Sequence, residues 1–168
     1  MQPTIESRGG PIIAAMDGSE ASWDAFNYAV HLASHLGLTV EVITVLGGRS
    51  VGYFYAFVEE QLLVEQASNI EVVFEKARDL GRQRGVKVRT VMREAGKHRS
   101  HQAILEYLKG KEEVAMLVVG SYGRGYHDRH ILGSTTEKLI RNISRDGLPI
   151  PVVVVPPSFC SWPQACSL

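Results

Sequence analysis

The sequence predicts a doubly wound α/β domain, a five-stranded parallel sheet with helices on both faces. Three observations predict it. Short β-branched runs alternate with longer segments of helical periodicity, the pattern of strands joined by crossover helices. The run Val114 to Val119 is continuously apolar, as a strand covered on both faces must be. The length of 168 residues suits one domain with a single sizeable core. Four right-handed crossovers between five strands then leave few topologies.

Pro11 to Met16 reads as the first strand, ending at Asp17-Gly18-Ser19, where glycine permits a tight turn and Ser19 can cap a helix. From Glu20 to Leu36, Ala21, Ala25, Ala29, Leu32 and Leu36 recur on one helical face, and Gly37 stops the helix. Leu38 to Leu46 alternates as a second strand. After the loop Gly47 to Gly52, a helix is expected over Ala56 to Arg84, with Leu63, Ala67, Ile70, Phe74, Ala77 and Leu80 on one stripe and Gly85 at its end. Val86 to Met92 is the third strand, and Ser100 to Lys109 a short helix with Ile104 and Leu108 inward. A fourth strand over Val114 to Val119 leads through a glycine-rich loop to a helix at Ser134 to Arg145, and Pro151 to Val155 is the fifth strand. The domain is expected to span 10–157, with flexible tails at 1–9 and 158–168.

Charge and hydropathy exclude whole classes of function. Eighteen Lys+Arg balance 18 Asp+Glu, so no global field favours a polyanion, and no local basic face for nucleic acid stands out. The longest apolar runs fall far short of the roughly 20 residues that span a bilayer. The first ten residues lack the basic and apolar pattern of a secretory signal, so a cytoplasmic location is expected. Cys160 and Cys166 both lie in the last nine residues, where they cannot staple a domain of this size.

In an open parallel sheet the ligand crevice lies at the carboxyl ends of the strands. Four of the 16 glycines fall between Gly120 and Gly133, linking an apolar strand to a helix start. Such a loop brings backbone N–H groups to phosphate oxygens, and the free N–H groups at the helix tip add partial positive charge. The expected ligand is an anion. Gly120-Ser-Tyr-Gly123, nine residues, then Gly133-Ser134 fits neither the dinucleotide fingerprint nor the P-loop, which needs Gly-Lys-Ser/Thr. It does match G-x2-G-x9-G-[S/T], and with it the chain resembles the universal stress protein family, in its ATP-binding branch. The likeness covers nearly the whole folded unit: a strand ending in Asp-Gly-Ser-Glu, a second ending near Val45, the glycine signature, and a terminal Pro-Val-Val-Val-Val strand.

The resemblance implies a sheet of order 3-2-1-4-5 and a homodimer. It implies that Ala15, Asp17 and Val45 border adenine and ribose, with Asp17 accepting a hydrogen bond. Gly120 and Gly123 would pass beneath the ribose and α-phosphate, and Gly133, Ser134 and Thr135 would hold the outer phosphates, which often carry a divalent metal such as Mg or Mn. Arg124 is an added counter-charge. In that strand order Pro151 to Val155 is an uncharged edge that invites antiparallel pairing with its twofold mate.

Plainer alternatives stand beside these roles. Ser134-Thr-Thr-Glu137 is also a capping box, and Asp17 also suits a turn before a Ser19 cap. The pairs His31/His35, His98/His101 and His127/His130 have ligand-like spacing, but no cysteine or acidic cluster joins any of them, so solvated histidines are expected. Tyr53, Phe54, Tyr55 and Phe57 fit either a lid over a base or a core cover. Two functions lead: a nucleotide-dependent regulatory module of the stress response, and a slow ATPase or phosphoryl- or adenylyl-transfer enzyme; a flavin carrier stays open on fold alone. An enzyme needs a base and a metal-holding carboxylate near the phosphates. Near Gly133 only Ser134, Thr135, Thr136, Glu137 and Asp128 offer themselves.

Overall fold

The computed structural model describes residues 9–47, 56–95, 99–122 and 132–156, with the backbone alone over 56–66. Along them run β1 (Ile12–Ala15), α1 (Glu20–Leu36), β2 (Val40–Leu46), α2 (Ala56–Gln83), β3 (Val88–Glu94), α3 (Ser100–Lys109), β4 (Met116–Gly120), α4 (Ser134–Arg145) and β5 (Val152–Val155). All strand pairs are parallel, in the order β3-β2-β1-β4-β5. The expected strand count, direction and order are all present.

The period-two alternation of the strands divides the core in two. Ile12, Ala14, Val40, Val42 and Val118 pack with Phe26, Ala29 and Val30 of α1 and with Phe74 and Ala77 of α2. Ile13, Ile43, Leu117 and Val119 face the other way, onto Ile104 and Leu108 of α3 and Leu139 and Ile143 of α4. Helices therefore cover both faces, and the sheet is doubly wound.

Strand limits differ from those expected where helix caps take residues from the following strand. Gly37 adopts φ 67°, and the N–H groups of Gly37 and Leu38 both donate to the Ala33 carbonyl, so Leu38 completes the α1 cap and β2 begins at Val40. Val86 likewise donates to Gly81, so β3 starts at Val88 and runs on through Arg93 and Glu94, which an outer strand can leave exposed. Leu36, expected inward, is exposed at the end of α1.

One inward position in β2 is charged. Glu41 is buried on the α3 side, where Lys111 Nζ lies 2.6 Å from its carboxylate and the Tyr107 hydroxyl donates to the same oxygen. Lys111 and Arg93 both lie over the Tyr107 ring. Burial, and then the bond to Glu41, hold the Tyr107 phenol above its ordinary range. Burial opposes charge on Lys111, but the hydrogen bonds it donates to Glu41 and Tyr107, with their charge interactions, outweigh it and hold the ammonium above its usual range. Glu41→Ala leaves this cation without its partner and is expected to cost about 2–4 kcal/mol in urea unfolding, because Lys111 retains some exposure. Both folded-state values are raised, so the fold holds these protons more tightly than the unfolded chain does. The associated stability is present below about pH 10 and is lost as pH rises through the folded-state values. That alkaline loss should shrink in Glu41→Ala.

Candidate functional site

β1 and β4 are neighbours, yet the chain leaves β1 for α1 on one face and β4 for α4 on the other. This is the switch point at which open α/β sheets hold their ligands. A cavity of about 200 Å³ lies there. Ala15, Asp17, Val45, Gly120, Gly133, Ser134 and Thr135 all line it, so residues up to 120 positions apart in the chain meet in one place. Gly123 and Arg124 lie outside the described residues, as do Asp128, Cys160, Cys166, Tyr53 to Tyr55, His98, His127 and His130.

Two helix starts at this crevice are built differently. At α1, Ser19 is the N-cap, and its hydroxyl accepts from the Ser22 N–H at 3.2 Å. Asp17 Oδ1 accepts from the Ser19 N–H at 3.0 Å and shapes the turn before it. At α4 the N-cap is Gly133, which has no side chain to cap with, and Ser134 is already the first helical residue. The capping-box alternative for Ser134 to Glu137 therefore fails: Glu137 pairs instead with Arg141 at 2.7 Å, one turn further along. The N–H groups of Ser134, Thr135 and Thr136 have no intrahelical acceptor, and they stand at the positive end of the helix dipole beside the cavity.

This open helix start is fixed to the sheet by polar contacts at its base. Gly133 N–H donates to the Ser121 carbonyl at 2.7 Å, and the buried Thr136 hydroxyl donates to the Gly120 carbonyl at 2.9 Å. Gly120 itself sits against α1: a Cβ there would lie 2.8 Å from the Ala21 carbonyl oxygen. Its lack of a side chain lets the start of α1 close onto β4, a packing role that the glycine spacing does not reveal.

Ser22, Ser100 and Tyr122 also line the cavity and were not among the expected site residues; Thr136, named above only for the enzyme reading, lines it too. Tyr122 lies inside the Gly120 to Gly123 segment and was open to the same inference. Ser100 was not, because only the crossover of α3 from the outer strand β3 brings its start over the crevice. Beside it, burial and then the charges of Lys138 and Arg99 hold the His101 imidazole below its ordinary value, which favours its neutral form. The His31 and His35 rings lie 4.5 Å apart at a tilt of 58°, with His35 Nδ1 2.9 Å from the His31 carbonyl oxygen, a contact within one helix. Among the described residues no group of three or more His, Cys, Asp or Glu side chains could hold a metal, and no helix is long and apolar enough to cross a membrane.

Comparison with solved structures finds the same architecture elsewhere. The chain is similar to universal stress protein UspA from Lactobacillus plantarum, with 21% identity over 88% of this chain and 98% of that one and a TM-score of 0.76. It is similar to a universal stress protein solved in complex with cAMP, at 20% identity over 88% and 97% of the two chains, TM-score 0.61. A third, from Archaeoglobus fulgidus in complex with dAMP, shares 18% identity over 86% and 96%, TM-score 0.55. Comparison with curated proteins gives no significant match. The model of the universal stress protein family matches residues 10–156, which take in all five strands, all four helices and the glycine-bounded crevice between β1 and β4. The chain belongs to the universal stress protein family.

Proposed function

We propose that the chain is a cytoplasmic ATP-binding regulatory module of the stress response, whose nucleotide state alters its dimer surface or its partners. The uncapped start of α4, opening on a cavity at the switch point, carries this reading: it supplies oriented amide donors where phosphate oxygens would lie. Asp17 and Val45 border the nucleoside end. Gly120, with Gly123, passes beneath the ribose and α-phosphate, while Gly133, Ser134 and Thr135 receive the outer phosphates, and Arg124 adds a counter-charge. The complexes of family members with cAMP and dAMP support an adenine nucleotide as the ligand class. A divalent ion such as Mg or Mn would ride on the phosphates and the Ser134 and Thr135 hydroxyls, since Glu137 is engaged with Arg141.

Among the described residues lining the cavity, Asp17 is the one carboxylate, and on this reading it lies at the nucleoside end. That placement favours binding over phosphoryl transfer, which needs its acids at the phosphates. Equilibrium dialysis with ATP tests the reading: one nucleotide per chain should saturate at micromolar to submillimolar concentration. No saturable uptake at millimolar ATP would refute it.

The homodimer belongs to the same proposal. Both outer strands present an edge, but β3 carries exposed Arg89, Arg93 and Glu94, charges that discourage strand addition. β5 is four valines. Antiparallel pairing of β5 with its mate would complete the ladder, and Val153→Lys should then convert a dimer into a monomer in light scattering. A wild-type mass that stays monomeric at all concentrations would contradict it.

A further inference from the structure

We infer that the C-terminal end of α1 carries a metal site, at which His31 and His35 together ligate one divalent ion that takes nitrogen ligands at right angles, Cu(II) or Ni(II). It does not depend on the nucleotide reading. α1 starts at the crevice beside Ser19 and runs away from it, which sets the pair roughly 20 Å along the helix, remote from any ion on the phosphates.

The placement of the rings carries the inference. Residues four apart lie on one face of a helix, one turn above the other. Here the two imidazole centres are 4.5 Å apart and the rings are tilted by 58° to each other. Two imidazoles that hold one ion through metal–nitrogen bonds of about 2.0–2.1 Å, at an angle of about 90°, have centres about 4.5 Å apart. The pair already has that separation.

The proton on His35 is placed to match. His35 Nδ1 lies 2.9 Å from the His31 carbonyl oxygen and 3.2 Å from Ser34 Oγ. The Ser34 hydroxyl donates its own proton to that same carbonyl at 2.7 Å, so neither neighbour has a proton to give to Nδ1. Nδ1 is therefore the N–H nitrogen, and the lone pair of the neutral ring sits on Nε2. Metal-ligating histidines are held in this way, with the second ring nitrogen donating to a backbone carbonyl. His35 is exposed and His31 partly so, which leaves the remaining positions of the ion to water. Mg prefers oxygen ligands and does not compete.

Calorimetric titration of the full chain with Ni(II), in the presence of millimolar Mg, tests the site. Wild type should bind Ni(II) saturably, and His31→Gln and His35→Gln should each weaken that binding by about tenfold or more, at least the cost of losing a supporting hydrogen bond at a metal site. The double change His35→Gln with Leu36→His keeps two imidazoles but sets them five residues apart, off a common face. It should bind no better than His35→Gln alone. Equal uptake by wild type and both single variants would overturn the site, because other groups would then account for all the binding. So would equal affinity in the relocated pair, or no uptake by wild type at millimolar Ni(II).

Discussion

Gly120→Val is expected to lose about 3 kcal/mol or more of folding stability, with a fall of roughly 6–12 °C in the thermal midpoint. The Cβ of any residue there would meet the Ala21 carbonyl oxygen at 2.8 Å and its carbonyl carbon at 2.9 Å. These are backbone atoms at the start of α1, so relief requires moving the helix rather than a side chain. Valine adds two methyl groups to that conflict inside the larger core, where Ala21 and Ala25 already pack tightly. Thermal or urea unfolding measures the effect, and an unchanged midpoint would show that α1 does not close onto β4 as described. The first glycine of the G-x2-G-x9-G-[S/T] signature is thus held by packing as well as by any ligand. Loss of nucleotide binding on its substitution would prove little about the site.

Gly133→Val separates the two effects. Gly133 has φ −60° and ψ 147°, which any residue adopts, so its backbone demands no glycine. Its N–H bond to Ser121 and its carbonyl bond from Glu137 survive the change. The new side chain is set on the cavity wall beside the amides of Ser134 and Thr135. ATP affinity is expected to fall by about 100-fold or more, roughly 2.7 kcal/mol. The thermal midpoint should move by less than half the shift of Gly120→Val. Dialysis or calorimetry beside an unfolding curve reads both quantities. Retained affinity would remove Gly133 from the binding surface.

The fold was legible because each element carries its own local signal. The helices α1, α3 and α4 occur within the expected limits, since Ser19, Gly37 and the apolar spacing act within a few residues of each boundary. The shifted strand starts at Val40 and Val88 follow from hydrogen bonds back to Ala33 and Gly81, which alternation alone does not encode. The strand order came from resemblance, and the pairing of β1 with both β2 and β4 agrees with it.

The candidate site was legible in part. Ala15, Asp17 and Val45 are strand ends, and Gly133 to Thr135 are a helix start, so topology alone carries them to the crevice. What the chain order hides is contact between distant elements. Glu41 reads as an ordinary strand residue until Tyr107 and Lys111 meet it. Gly120 reads as a ligand glycine until Ala21 fills the space beside it. Ser134 and Glu137 share the spacing of a capping box, and only the placement of the cap on Gly133 decides that they do not form one.

A crystal structure of the chain with ATP and Mg tests the central claim most directly. Phosphate oxygens should lie about 2.7–3.2 Å from the backbone nitrogens of Ser134 and Thr135. The adenine should lie at the Asp17 and Val45 end of the same cavity. Phosphates turned to solvent, with the α4 amides taken up by the protein's own side chains, would contradict it.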